Sequence, residues 1–569
     1  MKKLKVAFII DNTIVDHYVG DIIEFVQNNE LFEDPILITG YLNSKKKSFK
    51  QKIISTIKRN LFKTIDMILK LLLFKIIHKI EYNHTIKKFP NYGKKIDCNK
   101  CFKFNLIKVE GEWSKSGIYL NFSSSDLQKI SLANIDCIIR CGSGVLKGKI
   151  LDIAPLGVLS FHHGDNRYVR GGPSGFWEVL HNQHSSGFII QKLNNKLDAG
   201  DVLVRGNLMT QKFWLLNNAQ LLEKSNYFLK DILKKVAINN LLPEPEKAKL
   251  YNNKIFKIKS SLPLFKYFIK ILVPSLLNNV LFILKIKEFF FGKLVERWHV
   301  AFAEHNNFSR SLSDYKEIKN PKGRFLADPF VIKKNDTNYI FVEDFCYSSN
   351  KGSISVISLK DNNYKFMGIV LKEDFHLSFP FIFKCGKEIF MIPETSQIKE
   401  IRLYKCEVFP MKWKLDTILM KNVDAADTML IYLENKWFML TNICSSRIGN
   451  HESELHIFFS KNLRSNNWQS IKSGNPVIFD SLKARNGGII IQENVMYRVN
   501  QIQKKNNYGA SFQINRVNYL STEKFSETKI LTINPNFKKD LIGTHHFNAN
   551  NEIAVIDYRK KSKPLSDLN

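Results

Sequence analysis

With 569 residues and 44% hydrophobic content, the chain is long enough for two or three domains with ordinary globular cores, which excludes a disordered or fibrous protein. Its 85 basic against 53 acidic side chains give a formal charge of +32, a surface suited to polyanions such as acidic lipid, nucleotide sugars or phosphoglycans. Zinc-finger, helix-turn-helix and RNP patterns are missing, so no nucleic acid is expected as a partner, and without GxGxxG or Walker motifs no nicotinamide or nucleoside triphosphate site is predicted.

The opening MKKLKVAFIIDNT moves straight into an apolar strand and an acid, with no small-residue cleavage site, and does not read as a signal peptide. The strand LKVAFII is followed by a helical pattern through VGDIIEFVQNN and by the strand-like PILITGYL, an order that implies parallel pairing. Between Lys45 and Lys79 lysines alternate with Ile, Leu and Phe at near-helical spacing. This insert reads either as a helical cap with its lysines in water or as a segment lying on an anionic membrane surface. The eight cysteines are scattered, with Cys98 and Cys101 the one close pair, so no metal is predicted. A reducing cytoplasmic setting is expected, with peripheral attachment at the inner face of the membrane as its variant.

IDCIIRC and GVLSFHH are further buried-strand candidates. Ligands of parallel sheets sit at the carboxyl ends of the strands, where Gly142, Ser143, Gly144 and His162 fall. The stretch from Gly157 to Leu203 then places Ser160-Phe161-His162, Arg170-Gly171 and Leu197-Asp198-Ala199-Gly200 in order. A histidine followed at this distance by a carboxylate suits acyl-group chemistry: imidazole titrates near neutrality, and a carboxylate beside it fixes the tautomer and favours the charged form.

These motifs resemble the folate-dependent formyltransferases, which carry Asn-x-His, Arg-Gly and Leu-Asp-x-Gly in the same order. The resemblance implies an α/β domain with a Rossmann-type parallel sheet over residues 1–242, with the basic insert at about 45–85. It further implies 10-formyltetrahydrofolate as cofactor, its pterin near Gly142, Ser143, Gly144, Val145 and Leu146. His162 would be the base, Asp198 its partner and Ser160 the oxyanion donor, with His163, Asp165, Asn166 and Arg170 at the substrate. The family's asparagine is replaced here by Ser160, and losing one oxyanion donor typically costs roughly 100- to 1000-fold in rate.

Residues 243–296 form a second basic and apolar run, read as a helical linker. Its longest uncharged piece, Ile271 to Leu284, is broken by Pro274 and falls short of the about 20 apolar residues that span a bilayer. From Arg297 a degenerate unit of short strands recurs at roughly 45 to 60 residues, and five such units predict an all-β five-bladed propeller over 297–569. Acids stand at or near the unit entrances: Asp328 in LADPF, Glu343 and Asp344 in FVEDF, Glu394 in IPETS and Asp427 in DAADT. Trp413, Trp437 and Trp468 read as core.

This acidic propeller resembles the furanosidase-type glycoside hydrolases. LADPF, HLSFP, IPETS, DAADT and RNGG together are similar to the non-transferase domain of plant glucosamine inositolphosphorylceramide transferases. The resemblances imply an enzyme of surface-polysaccharide or glycolipid biosynthesis that N-formylates an amino sugar. The alternatives are a propeller-borne glycosidase, phosphorylase or glycosyltransferase beside an inactive first domain, or a glycan-binding protein without catalysis. A pocket made by Asp328, Asp344, Glu394 and Asp427 would serve the latter readings.

Overall fold

The computed structural model describes residues 2–41, 61–195, 200–246, 251, 254–283, 295–304, 312–446 and 448–562. Asp198 and the first half of the basic insert lie outside them. The chain divides into two compact units, Met1–Leu277 and Asn278–Asn569.

Unit 1 is built on a seven-stranded sheet. Strands β1 (Val6–Ile9), β2 (Ile36–Thr39), β3 (Asn105–Lys108), β4 (Cys137–Arg140) and β5 (Val158–His162) are parallel, and β6 (Ser185–Lys192) and β7 (Asp201–Met209) close one edge antiparallel. The spatial order is β7, β6, β5, β4, β1, β2, β3. The central strands are apolar throughout because both faces are covered, so Val6 to Ile9 and Cys137 to Ile139 are entirely buried. Helix α1 (His17–Gln27) turns Val19, Ile22, Ile23 and Val26 inward, one stripe at helical spacing.

Helix α2 (Leu61–Lys88) occupies the second half of the basic insert. It packs against α3 (Trp214–Asn239) and α4 (Leu262–Tyr267), the latter continuing through a π-turn at Phe268–Leu272. Buried Glu81 joins all three helices: its carboxylate accepts from the Tyr267 hydroxyl at 2.6 Å and from the Leu215 backbone N–H at 2.9 Å. Fully buried Tyr267, together with the pairing of Arg170–Gly171 with Ile255–Phe256, ties the expected linker into unit 1. The unit therefore runs to Leu277 rather than ending at Leu242.

Unit 2 contains five antiparallel sheets. Four begin with Arg324–Lys334, Ser378–Cys385, Ala425–Leu433 and Asn486–Gln492 and continue strand by strand along the chain. The fifth joins Val295–Ala303 and Lys316–Ile318 to Leu541–Gly543, Phe547–Ala549 and Ala554–Ser562. Each first strand contacts that of the next sheet, and Phe547–Ala549 contacts both Asn486–Gln492 and Arg324–Lys334, so the sheets close into a ring. Apolar faces that one small sheet cannot bury alone are thereby covered by neighbours. Trp437 and Trp468 lie in this core, and Trp413 packs edge-on against Phe341.

A local irregularity repeats around the ring. The pairing register shifts at Ala327/Phe330, Ser378/Phe381, Ala426/Met429 and Asn486/Gly488. At each bulge one residue takes positive φ: Asp328 at 49°, Phe379 at 45°, Asp427 at 49° and Gly488 at 127°. A bulge bends the strand and re-aims a side chain, and left-handed backbone is uncommon for non-glycine residues, so the repeat marks positions held by their surroundings.

Candidate functional site

The bulges direct Asp328 and Asp427 into one pocket of unit 2, about 240 Å3 in volume, whose lining includes Glu343, Glu394, Arg485 and His545. Arg485 Nε donates to Asp427 Oδ2 at 2.7 Å, and its Nη2 stands 3.8 Å from Glu394. Gln501 Nε2 donates to the same Asp427 oxygen at 3.1 Å, and the Arg485 guanidinium lies over the Tyr508 ring. On the other side His545 Nδ1 lies 2.7 Å from Asp557 and Nε2 3.7 Å from Asp328, with the ring stacked on Trp298 at 3.9 Å. His376 Nε2 is 3.6 Å from Glu343.

Burial controls the charge of this pocket. It pushes the Asp328 carboxyl up to about 7 against the pull of His545, and the Asp427 carboxyl up to about 6 against the pull of Arg485. Glu343 is raised well above the carboxylate range by burial and by the neighbouring acids, Asp328 foremost. For His545, burial disfavours the cation, but Asp557 and Asp328 outweigh it and hold the pKa above its ordinary value. Asp557 is held low mainly by that imidazolium despite its own burial. One Asp328 oxygen, Oδ1, is buried without a hydrogen-bond partner.

Asp328, His545 and Asp557 also bring ligand atoms within 4.8 Å of one another, close enough to share a metal ion, a cluster not foreseen in the sequence. Here His545 reaches towards both carboxylates with its two nitrogens, Nδ1 to Asp557 and Nε2 to Asp328.

Three of the four acids expected in the pocket line it: Asp328, Glu394 and Asp427. Asp344 does not. Successive strand residues point to opposite faces, so Glu343 enters the pocket. Asp344 is wholly buried behind it, accepting from Arg324 at 2.8 Å and from the Ser355 hydroxyl at 2.6 Å. Arg485, His376, Tyr508, Trp298 and His545 were not singled out beforehand. Two of them carried a signal: Arg485 opens the RNGG turn and His545 sits in THHF, the fourth and fifth versions of the LADPF position.

In unit 1, Ser160 and His162 lie on β5, with His162 at its carboxyl end. Ser160 is buried and its hydroxyl donates to the Phe161 carbonyl at 3.3 Å, while His162 Nε2 lies 3.5 Å from the Val169 carbonyl. Of the expected substrate residues, His163 lines a cavity of about 350 Å3 together with His17, Tyr18, His78, Tyr92 and Glu223. Its imidazole is kept neutral by burial, which lowers its pKa to about 3. Asp165, Asn166 and Arg170 are absent from that lining. Asp165 is paired with Arg167 and Arg205, Asn166 accepts from Arg205 at 2.8 Å, and Arg170 donates to the Tyr251 carbonyl at 2.7 Å.

The expected pterin loop, residues 142–146, spends its polar main chain on the protein. Ser143 N–H donates to Asp11 at 2.6 Å, Val145 N–H to the Ile118 carbonyl at 2.8 Å, and the Gly144 carbonyl accepts from Arg140. A Cβ on Gly142 would stand 1.8 Å from the Tyr41 hydroxyl, and one on Gly144 would stand 2.7 Å from Trp113. These three main-chain groups are thus engaged by the protein itself.

The fold is thus a mainly parallel α/β unit followed by a ring of antiparallel sheets with an acidic pocket. Residues 311–556 match the family described as "Glucosamine inositolphosphorylceramide transferase 1, N-terminal". The proteins of that name from Oryza sativa subsp. japonica and Arabidopsis thaliana are 33% and 31% identical over 211 residues, 36% of this chain. The match spans 28% and 27% of those relatives' own lengths. Among solved structures, a Coprinopsis cinerea GH62 alpha-L-arabinofuranosidase is 8% identical over 47% of this chain and 98% of its own, with a TM-score of 0.32. A Shewanella sugar N-formyltransferase is 13% identical over 46% of this chain and 87% of its own, with a TM-score of 0.25.

Proposed function

We propose that unit 2 is a five-bladed propeller that holds a sugar residue of a glycan or glycolipid in its pocket and acts on the glycosidic bond by general-acid chemistry. The observation that carries this reading is the convergence of Asp328, Glu343, Glu394 and Asp427, with Arg485 and His545, on one small pocket. An acid works best when its pKa lies near the working pH. Asp328, at about 7 with one oxygen that accepts no hydrogen bond, suits a proton donor to the leaving oxygen. Glu343, whose carboxyl burial and the neighbouring Asp328 raise above the carboxylate range, suits a hydrogen-bonding partner for a sugar hydroxyl. Asp427, oriented by Arg485 and Gln501, is the carboxylate partner that glycoside chemistry requires. The match of residues 311–556 to a family named for inositolphosphorylceramide supports a lipid-linked glycan as substrate class.

The test is turnover of a panel of chromogenic glycosides and lipid-linked sugars, alongside calorimetric sugar binding. Asp328→Asn is expected to lower the rate about 100-fold or more while leaving binding in place. The wild-type rate should fall above about pH 7, where Asp328 gives up its proton. Binding without turnover, indifferent to Asp328→Asn, would reduce the pocket to a sugar-binding module. No binding of any saccharide would end the proposal.

A second reading assigns N-formylation of an amino sugar to unit 1, favoured by the placement of Ser160 and His162 on β5 at the carboxyl end of a mainly parallel sheet. It requires 10-formyltetrahydrofolate to displace the internal contacts of residues 142–146. A fluorescence titration with 5-formyltetrahydrofolate decides it: failure to bind removes this reading and leaves the first untouched.

A further inference from the structure

Helix α2 has two apolar faces; the fold buries one along the helix, and on the opposite side only Thr64 is buried. At about 100° per residue, Leu73, Ile77, Glu81 and Thr85 form the stripe buried against unit 1. Leu61, Ile65, Ile68, Leu69 and Leu72 fall on the opposite side, where they are 66%, 54%, 52%, 40% and 54% exposed. Neighbouring α4 repeats the pattern. Leu264 and Tyr267 are buried, while Leu262 and Phe265, and Ile269 in the π-turn that follows, are 54%, 50% and 47% exposed. Two adjacent helices with outward apolar stripes exceed the scattered exposed residues of an ordinary soluble surface.

Charge identifies what these stripes fit. Lys75 and Lys79 continue the outward side of α2 beyond Leu72, and Lys266 and Lys270 flank the stripe of α4; all four are exposed. Among the described residues of these two helices no carboxylate is aligned with the lysines. Asp66 is turned towards the protein, accepting from the Ser261 N–H at 2.9 Å, and residues 262–277 contain no acid. Lysines can bury their stems along an apolar surface and keep their heads in a negative layer. No described helix is long and apolar enough to cross a membrane.

We infer that α2 and α4 form a two-helix platform that lies in the interface of an anionic lipid bilayer, apolar stripes in the acyl boundary and lysines at the headgroups. Such a platform would bring unit 1 to a membrane surface without spanning it.

The test is sedimentation of the full chain with vesicles of phosphatidylcholine alone or with 30% phosphatidylglycerol, at low and high salt. Binding should favour the acidic vesicles and weaken with salt. The triple variant Ile65→Glu/Ile68→Glu/Leu72→Glu, and separately Leu262→Glu/Phe265→Glu/Ile269→Glu, should each weaken binding about tenfold or more without lowering the melting temperature. Changing Lys75, Lys79, Lys266 and Lys270 to glutamine should remove the preference for acidic lipid. The inference is overturned if the wild type ignores acidic vesicles or if the triple variants bind as well as it does. It also falls if the triple variants fail to bind but melt well below the wild type, which would mark the stripes as covered by another stretch of this chain. Conversion of a wild-type dimer to a monomer by the same substitutions, with no vesicle binding, would assign the face to a second copy.

Discussion

Glu343 and Asp344 stand side by side in the chain and serve opposite faces of one sheet. Glu343 is raised by burial among the pocket acids, whereas Asp344 anchors Arg324 and Ser355 on the other face. Asp344→Ala is therefore expected to destabilise unit 2 by about 2 kcal/mol, because a buried hydrogen-bonded group loses its partners, while the folded fraction keeps its sugar affinity. Denaturant titration and sugar calorimetry on the same variant separate the two effects, and a large loss of affinity at unchanged stability would return Asp344 to the pocket. The sequence displays both acids in FVEDF, but the choice between them depends on register, which a one-residue slip inverts. Asp328 and Asp427 were legible because the turn in which each sits repeats in the chain. Arg485 and His545 stand in the same repeated position, but their pairing was hidden, since their charge partners lie 58 and 12 residues away, at Asp427 and Asp557.

At the scale of elements, Glu81 decides how α2, α3 and α4 dock. Burial lifts its carboxyl from 4.5 to about 7 although Tyr267 and the Leu215 backbone donate to it. A group raised in the folded state gives its full contribution below its unfolded pKa and loses it as pH climbs through the folded one. The docking should thus weaken between about pH 4.5 and pH 7, by on the order of 3 kcal/mol for this shift. Hydrogen exchange at the Leu215 amide should speed up over that range in the wild type, and Glu81→Gln should flatten the dependence. An equal slope in both proteins would place the titration elsewhere. The spacing of lysines and apolar residues made a helix legible between Lys45 and Lys79, and the described part of that stretch, residues 61–79, lies in α2. Its anchoring was hidden, because Leu215 and Tyr267 come more than a hundred residues later and Tyr267 sits in what composition reads as a linker.

For the whole molecule, the ring of unit 2 is closed by strands from its two ends. Val295–Ala303 pairs antiparallel with Ala554–Ser562, from Val295 opposite Ser562 to Ala303 opposite Ala554. Repeats in the sequence showed five units of strands, but not that the fifth takes its outer strands from before the first, because pairing across the full length of a unit leaves no local trace. Closure also completes the pocket: Asp557, on the last strand, accepts from the backbone N–H groups of His545 and His546 and lies 2.7 Å from the His545 ring. Val555, Ile556 and Tyr558 are buried at 0%, 0% and 1% exposure, and losing such side chains costs about 1.5 to 3 kcal/mol each. With the ladder lost as well, deletion of residues 554–569 removes an amount comparable to the roughly 5 to 15 kcal/mol that holds a domain together. Calorimetry of the deletion variant should therefore show the unit 2 transition abolished and that of unit 1 unchanged. Asp557→Asn, which keeps the strand, should retain the transition while lowering the His545 pKa. An added peptide spanning 552–565 should restore the lost transition in the deletion variant; a deletion variant that melts like the full chain would show that the ring stands open without its closing strand.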